Sequence, residues 1–439
     1  EERGGEETSM KKLLIAATAV LVSSSPVFLL PMEKELTPTP KQVQNLSQNT
    51  IASLSQFKQI PKNPRTITNI LTYKNKELTE FKTSIKADTK LSISAIFWNA
   101  KGEPVFQLQD GDFVAASQKL IIDDSVYNQK PVDMTFWTKD GLTVYKDPYV
   151  LGTEKADSKL ASFKPIKVSR AAQTHAGTYY LADGEGWINA SDLSTTDNRI
   201  EDVQRVLNEK YNNQEHISVY VKQLDTDRVA AINDEKSMYA ASIAKLGVLY
   251  YAQERLSQKK LSLSNEYQYT STVNGFPGAY DPDGSGKISK MTDDKNYSLE
   301  NLLKAVAQNS DNVATNILGY YVANQYDNSF QKSVDKASAT SWNMDKKELT
   351  ARAAGTLMEA IYRQNGDIIN YLSSTDYDGE RISKNIDVPV AHKIGDAYDF
   401  KHDVAIVYTD SPFILSIFTD KEGYDKITSI ADDVYGILK

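Results

Sequence analysis

The chain has 439 residues, 40% hydrophobic and 25% charged, a balance that excludes a disordered or fibrous polymer and predicts two or three globular domains. Its net charge of −8, without clustered lysine or arginine, excludes a nucleic-acid-binding surface. The absence of cysteine excludes disulfides, thiolate catalysis and cysteine-ligated metals. Residues 1–9 read as an upstream extension, with Met10 as the natural start. Met10-Lys11-Lys12, the apolar run Leu13 to Val22, a Ser-Pro break and a second run Val27 to Leu30 predict an export signal or membrane anchor over 10–31. The apolar segment 13–30 lies at the lower length limit for a membrane span, so cleavage and anchoring both stay open. Residues 32–63, polar and containing Pro38 and Pro40, read as a linker.

From residue 64 to 194 short β-branched and aromatic runs alternate with Gly, Asp and Asn turns, the pattern of all-β structure. "LQDGDFVAASQKL" (108–120) and "LADGEGWINASDL" (181–193) echo each other, which predicts two related modules, 64–125 and 126–194. Trp98, Trp137 and Trp187 are expected to fill their cores, as aromatics dominate burial. The Gly186-Trp187 pair resembles the SH3-like GW modules of bacterial surface proteins; that resemblance implies binding to a cell-wall polymer. Export without disulfides fits an extracellular place on a bacterial, Gram-positive-type surface.

From residue 199 the period becomes helical. Asp197 or Asn198 can cap a helix whose Ile200, Val203, Val206, Leu207 and Tyr211 share one face. "ISVYVKQL" and "RVAAIND" read as a hairpin, and "DVAIVY" and "FILSIF" as a second strand pair before a helix starting near Lys426. Strands at both ends with helices between predict an α+β domain with an antiparallel sheet over 199–439.

In "YAASIAKLGVLYYAQERL" (239–256) Ser242 and Lys245 stand one helical turn apart. A serine hydroxyl needs a base within hydrogen-bond reach, and a lysine serves only if burial or a second cation lowers its pKa. Ile243, Ala244, Leu246 and Val248 supply apolar surroundings. Farther on lie Ser310-Asp311-Asn312 and Lys393-Ile394-Gly395. Ser-x-x-Lys, Ser-Asp-Asn and Lys-Thr-Gly form one catalytic set in serine acyl-enzymes.

With those motifs in register, residues 199–439 resemble the class A β-lactamases and their penicillin-recognising relatives. The resemblance implies that Ser242 is the acylated nucleophile, Lys245 its base, Ser310 the proton relay and Lys393 the cation that polarises Ser310. It implies substrate binding by Asn312, Ile394 and Gly395, and an oxyanion hole from the backbone N–H groups of Ser242 and Asp396. It brings no cofactor and no metal. Two departures qualify it. No Glu-x-x-Leu-Asn loop follows Ser-Asp-Asn, Glu348 being the sole glutamate between Asn312 and the "ELTARAAGTL" segment, so slow deacylation is expected. Ile394 replaces a threonine hydroxyl that would bind a substrate carboxylate. The expected function is hydrolysis or acyl transfer on peptidoglycan peptides, with β-lactam-like compounds as further ligands. The alternatives are a true class A-like β-lactamase and a catalytically idle wall-binding protein. "DPDGSGKIS" (281–289) imitates half a calcium loop, but Thr292 stands where the bidentate glutamate is needed, and an ordinary turn is expected.

Overall fold

The computed structural model describes residues 55–439; the expectations for 1–9, for 10–31 and for residues 32–54 of the linker lie outside the described residues. The chain forms two compact units that divide between Asp124 and Ser125. In the first, five strands order as Phe81–Ile85, Ile70–Tyr73, Phe113–Ala115, Pro104–Leu108 and Ile93–Trp98. Pro104–Leu108 is buried almost throughout, as a strand with neighbours on both sides and packing on both faces must be. Phe57, Phe106, Leu108, Val114 and Ile121 fill this small core. Trp98 does not join it: at the sheet edge it is 53% exposed, against the expectation that it fills a core.

The second unit opens with a six-stranded sheet built on Val126–Thr138, which pairs along Pro165–Thr174 with a bulge between Val168 and Arg170. Trp187 is 5% exposed and packs with Ala172 and Tyr179. Gly186 beside it has φ +138°, and a Cβ there would stand 2.6 Å from the carbonyl oxygen of Tyr145. The Gly-Trp pair therefore couples a close backbone approach to a buried aromatic. Both N-terminal regions are small and all-β.

The remainder is α+β. Strands β1 (Ile217–Gln223), β2 (Val229–Ile232), β3 (Val390–Ala397), β4 (Phe400–Val407) and β5 (Phe413–Asp420) form an antiparallel sheet in the order β2-β1-β5-β4-β3. Alternation assigns each face its own core. Val219, Val221, Leu415, Ile417 and Ala405 meet helices α1 (Arg199–Tyr211) and α8 (Tyr424–Leu438). Tyr220, Ile414, Phe418, Val404 and Ile406 face a helical body. That body comprises α2 (Leu246–Ser257), α3 (Leu299–Asn309), α4 (Asn312–Tyr321), α5 (Asn328–Ser338), α6 (Ala351–Gln364) and α7 (Asp367–Leu372). The expected cap of α1 divides between two residues. Asp197 Oδ1 accepts from the Arg199 backbone N–H, while Asn198 is buried and donates from Nδ2 to the Thr138 carbonyl.

Candidate active site

The site lies where the edge strand β3, the chain before α2 and the α3–α4 corner meet. Ser242 and Lys245 fall in a 3₁₀ turn, Ala241–Lys245, that leads into α2. The sequence predicted an α-helical first turn; in a 3₁₀ turn residues i and i+3 eclipse, so the two side chains stand directly above one another. Ala241 has φ +49°, a left-handed conformation that costs an alanine of order 1–3 kcal/mol and marks a fixed approach to the serine. The turn is held from two sides. The Ala240 N–H donates to the Lys347 carbonyl at 2.7 Å, and the Tyr280 hydroxyl donates to the Ala241 carbonyl at 3.1 Å.

Gly395 of β3 presses against this turn: a Cβ there would lie 2.7 Å from the Ala240 carbonyl oxygen and 3.3 Å from the Ile243 backbone nitrogen. The absence of a side chain is thus what lets β3 approach the backbone of the turn at residues 240–243.

The Ser310 corner is equally constrained. Ser310 ends α3 at φ 53°, ψ 38°, and Asp311 caps α4 by accepting from the Ala314 N–H at 2.8 Å. The other Asp311 oxygen accepts from the backbone N–H groups of Lys287 and Ile288 at 2.6 and 2.8 Å. Gly284 and Gly286 of that loop touch the corner: added Cβ atoms would stand 2.3 Å from Asn312 Nδ2 and from Asp311 Cγ respectively. The Lys290 ammonium donates to the carbonyls of Gly284 and Gly286, so a side-chain cation sits on carbonyls of the calcium-like segment.

These elements bring Lys245, Ser310, Asn312 and Lys393 into one hydrogen-bonded group. Lys245, with no exposed surface, donates from Nζ to the Ser310 carbonyl and to Asn312 Oδ1, both at 2.6 Å, and lies 3.5 Å from Ser310 Oγ. Among the described residues no hydrogen bond joins Lys245 Nζ to Ser242 Oγ; the two shorter contacts hold the amine toward the Ser310 corner. Lys393 donates to Ser310 Oγ and to the Ile394 carbonyl, both at 2.8 Å. Asn312 Nδ2 donates to the Asp281 carbonyl at 2.7 Å. Ile394 is buried, and Gly395 and Asp396 follow it on β3.

Burial is the main cause that pushes the Lys245 amine well below the ordinary lysine range, and the charge of Lys393 adds to it. Burial also brings Lys393 down to about 7, with Asp403 opposing and Arg381 assisting. Lys347 escaped sequence reasoning. It is buried, its amine lies 4.5 Å from the Tyr280 ring centre, and the Lys245 amine lies 4.4 Å from the same centre. It arrives through the pairing of Met238–Tyr239 with Glu348–Leu349, a contact without a local sequence signature. Glu348 itself is exposed. His392, which flanks the Lys-x-Gly strand in sequence, lies on the far side of Lys393 in a packing and supporting role: buried, it bonds Asp403 through Nδ1 and Asp378 through Nε2, each at 3.1 Å.

A five-stranded antiparallel sheet between two helical layers, with a serine-lysine turn docked on its edge strand, is a β-lactamase-like α+β architecture. Residues 198–438 match the model of the β-lactamase enzyme family, and the chain belongs to that family. Residues 57–121 match a domain of unknown function (DUF5776). Among solved structures the chain is similar to PBP-A, at 15% identity over 55% of this chain and 95% of that one, with a TM-score of 0.45. It is similar to the β-lactamase from Sphaerobacter thermophilus DSM 20745, at 13% identity over 55% and 95%, TM-score 0.44. It is similar also to the TLA-1 extended-spectrum β-lactamase, at 18% identity over 55% and 99%, TM-score 0.44. No curated protein matches.

Proposed function

We propose that the protein is an exported serine acyl-enzyme hydrolase or acyl transferase acting on peptidoglycan peptides at a bacterial surface. The observation that carries this reading is the Lys245 amine, enclosed, without a carboxylate on it, and facing two neutral oxygens at 2.6 Å. A neutral amine has two N–H bonds and one lone pair. Those two oxygens accept both hydrogens, which leaves the lone pair to take the proton of Ser242 Oγ.

Ser242 Oγ attacks the substrate carbonyl carbon while its proton moves to Lys245. The C–N bond breaks, Ser310 delivers its proton to the departing nitrogen and is reprotonated by Lys245, whose Nζ lies 3.5 Å from Ser310 Oγ, and the products are a Ser242 ester and a free amine. Lys393 polarises Ser310 through its 2.8 Å bond. The backbone N–H groups of Ser242 and Asp396 receive the oxyanion, an interaction worth about 3 kcal/mol per donor in serine hydrolases. Asn312 keeps one Nδ2 hydrogen for the substrate amide, the other being given to Asp281. With Glu348 exposed and, among the described residues, no carboxylate hydrogen-bonded to Lys245, Ser310 or Lys393, release of the ester is slow. The second β module, on its SH3-like resemblance, holds wall polymer near the site. β-Lactams enter as strained amides.

The test is intact mass spectrometry after incubation with penicillin. The expected result is a long-lived adduct on the wild type, absent from Ser242→Ala and from Lys245→Ala. Nitrocefin turnover without adduct accumulation favours a β-lactamase instead; no adduct with any acylating probe favours an idle wall-binding protein.

A further inference from the structure

Alternate residues of a strand project to opposite sides. On β3, Lys393 and Gly395 take the side of Ser310 and the nucleophile turn, so Ile394 and Asp396 share the other. There the Asp396 carboxylate is fully engaged. Its Oδ2 accepts from Arg381 Nη2 at 2.9 Å and from the Tyr424 hydroxyl, and its Oδ1 accepts from Lys401 Nζ at 2.7 Å. Arg381 is 1% exposed, its guanidinium lies 3.8 Å from the Tyr424 ring centre, and its second arm is paired with Glu380. Two carboxylates, Glu380 and Asp396, therefore balance two cations, Arg381 and Lys401. The cluster adjoins the site, because Asp396 follows on the same strand directly after Gly395, which presses against the turn that carries Ser242.

On the Asp396 side of β3 a ligand anion finds Arg381 and Lys401 already paired with carboxylates, whereas Lys393, which carries none, takes the opposite side. The anion meets the hydrocarbon of Ile394, a guanidinium already held on both arms, and the like charge of Asp396. Like charge set against a wrong partner is an economical way to gain specificity.

We infer that Asp396 fills this corner with a carboxylate of the protein's own, so that the site selects acyl donors uncharged beside the leaving nitrogen: carboxamides or esters in preference to free carboxylates. The inference rests on the acyl-enzyme reading above and names the substrate class of that same site.

The experiment measures second-order acylation of Ser242 in the full chain by mass spectrometry with three probes: a fluorophosphonate, penicillin G, and penicillin G methyl ester. The fluorophosphonate, which expels fluoride as it forms the serine adduct, reports whether Ser242 reacts at all. The expected outcome is that the methyl ester acylates faster than the free acid by about tenfold or more, and that Asp396→Asn, which keeps the backbone N–H while freeing Arg381, reverses or erases that ratio. An acid that reacts as fast as its ester, with the fluorophosphonate adduct present, overturns the inference and leaves the acyl-enzyme reading standing. An ester preference unchanged in Asp396→Asn also overturns it, since Asp396 is then not its source. No Ser242 adduct from any probe overturns both. Thermal melts of wild type and variant, read beside the fluorophosphonate rate, separate a folding defect from a change in ratio.

Discussion

Lys245 and Lys393 approach the same serine, Ser310, yet the proposed acyl transfer asks opposite protonation states of them. Lys245 has to be neutral to accept a proton, and its lowered pKa places the rising limb of the rate profile below the ordinary lysine range. Lys393 has to be charged to polarise Ser310, and its pKa of about 7 sets a falling limb there. Acylation by an uncharged probe is therefore expected to decline as pH rises through about 7. Lys393→Arg, permanently charged, is expected to move that decline upward. A rate flat across this range in the wild type contradicts the assignment. The motifs that carry these residues were legible because each is local: one turn for Ser242 and Lys245, one corner for Ser310 to Asn312, one strand for Lys393 to Gly395. Lys347 and Arg381 were not. One is delivered by a two-residue strand pair, and the other sits at φ +55° with nothing in its neighbours to announce it.

At the scale of elements, β3 is held between the nucleophile turn and a segment that precedes it in sequence. Gly395 governs the first contact, and Gly395→Ala is expected to push the 3₁₀ turn away, reducing acylation by tenfold or more while the melt changes little by comparison. Acylation rate and thermal melt together test it. His392 governs the second: it ties Asp403 of β4 to Asp378, and Asp403 also accepts from the Ile382 N–H. Two carboxylates raise the His392 pKa from 6.5 to about 9 against the effect of burial. The stabilisation is therefore complete below pH 6.5 and is lost as pH rises through about 9. His392→Ala leaves the buried Asp403 carboxylate without its counter-charge, at a cost of about 3–5 kcal/mol, and removes the alkaline loss; denaturant midpoints across pH measure both. Periodicity identified the helices and hairpins well because their burial alternates cleanly. It missed the 3₁₀ character of the serine turn, which is imposed by Lys347 and β3 rather than by its own residues.

At the scale of the molecule, the boundary between Asp124 and Ser125 separates two units with cores of their own, and a chain beginning at Ser125 is expected to keep its Ser242 labelling rate within about twofold. Loss of labelling in that chain would refute the independence of the second unit. A chain beginning at Asp197 is a different case. It discards Thr138, the acceptor of the Asn198 amide, and Trp137, whose ring centre lies 5.3 Å from the Arg199 guanidinium. Its melting temperature should fall, and the start of α1 should lose protection from hydrogen exchange. The amide tether has a further meaning. With Ser194 closing the module's sheet and α1 opening at Arg199, almost no slack remains between them. On the proposed wall-binding role, a polymer held by this module would meet Ser242 at a fixed reach, like work clamped to a bench and not swung on a rope.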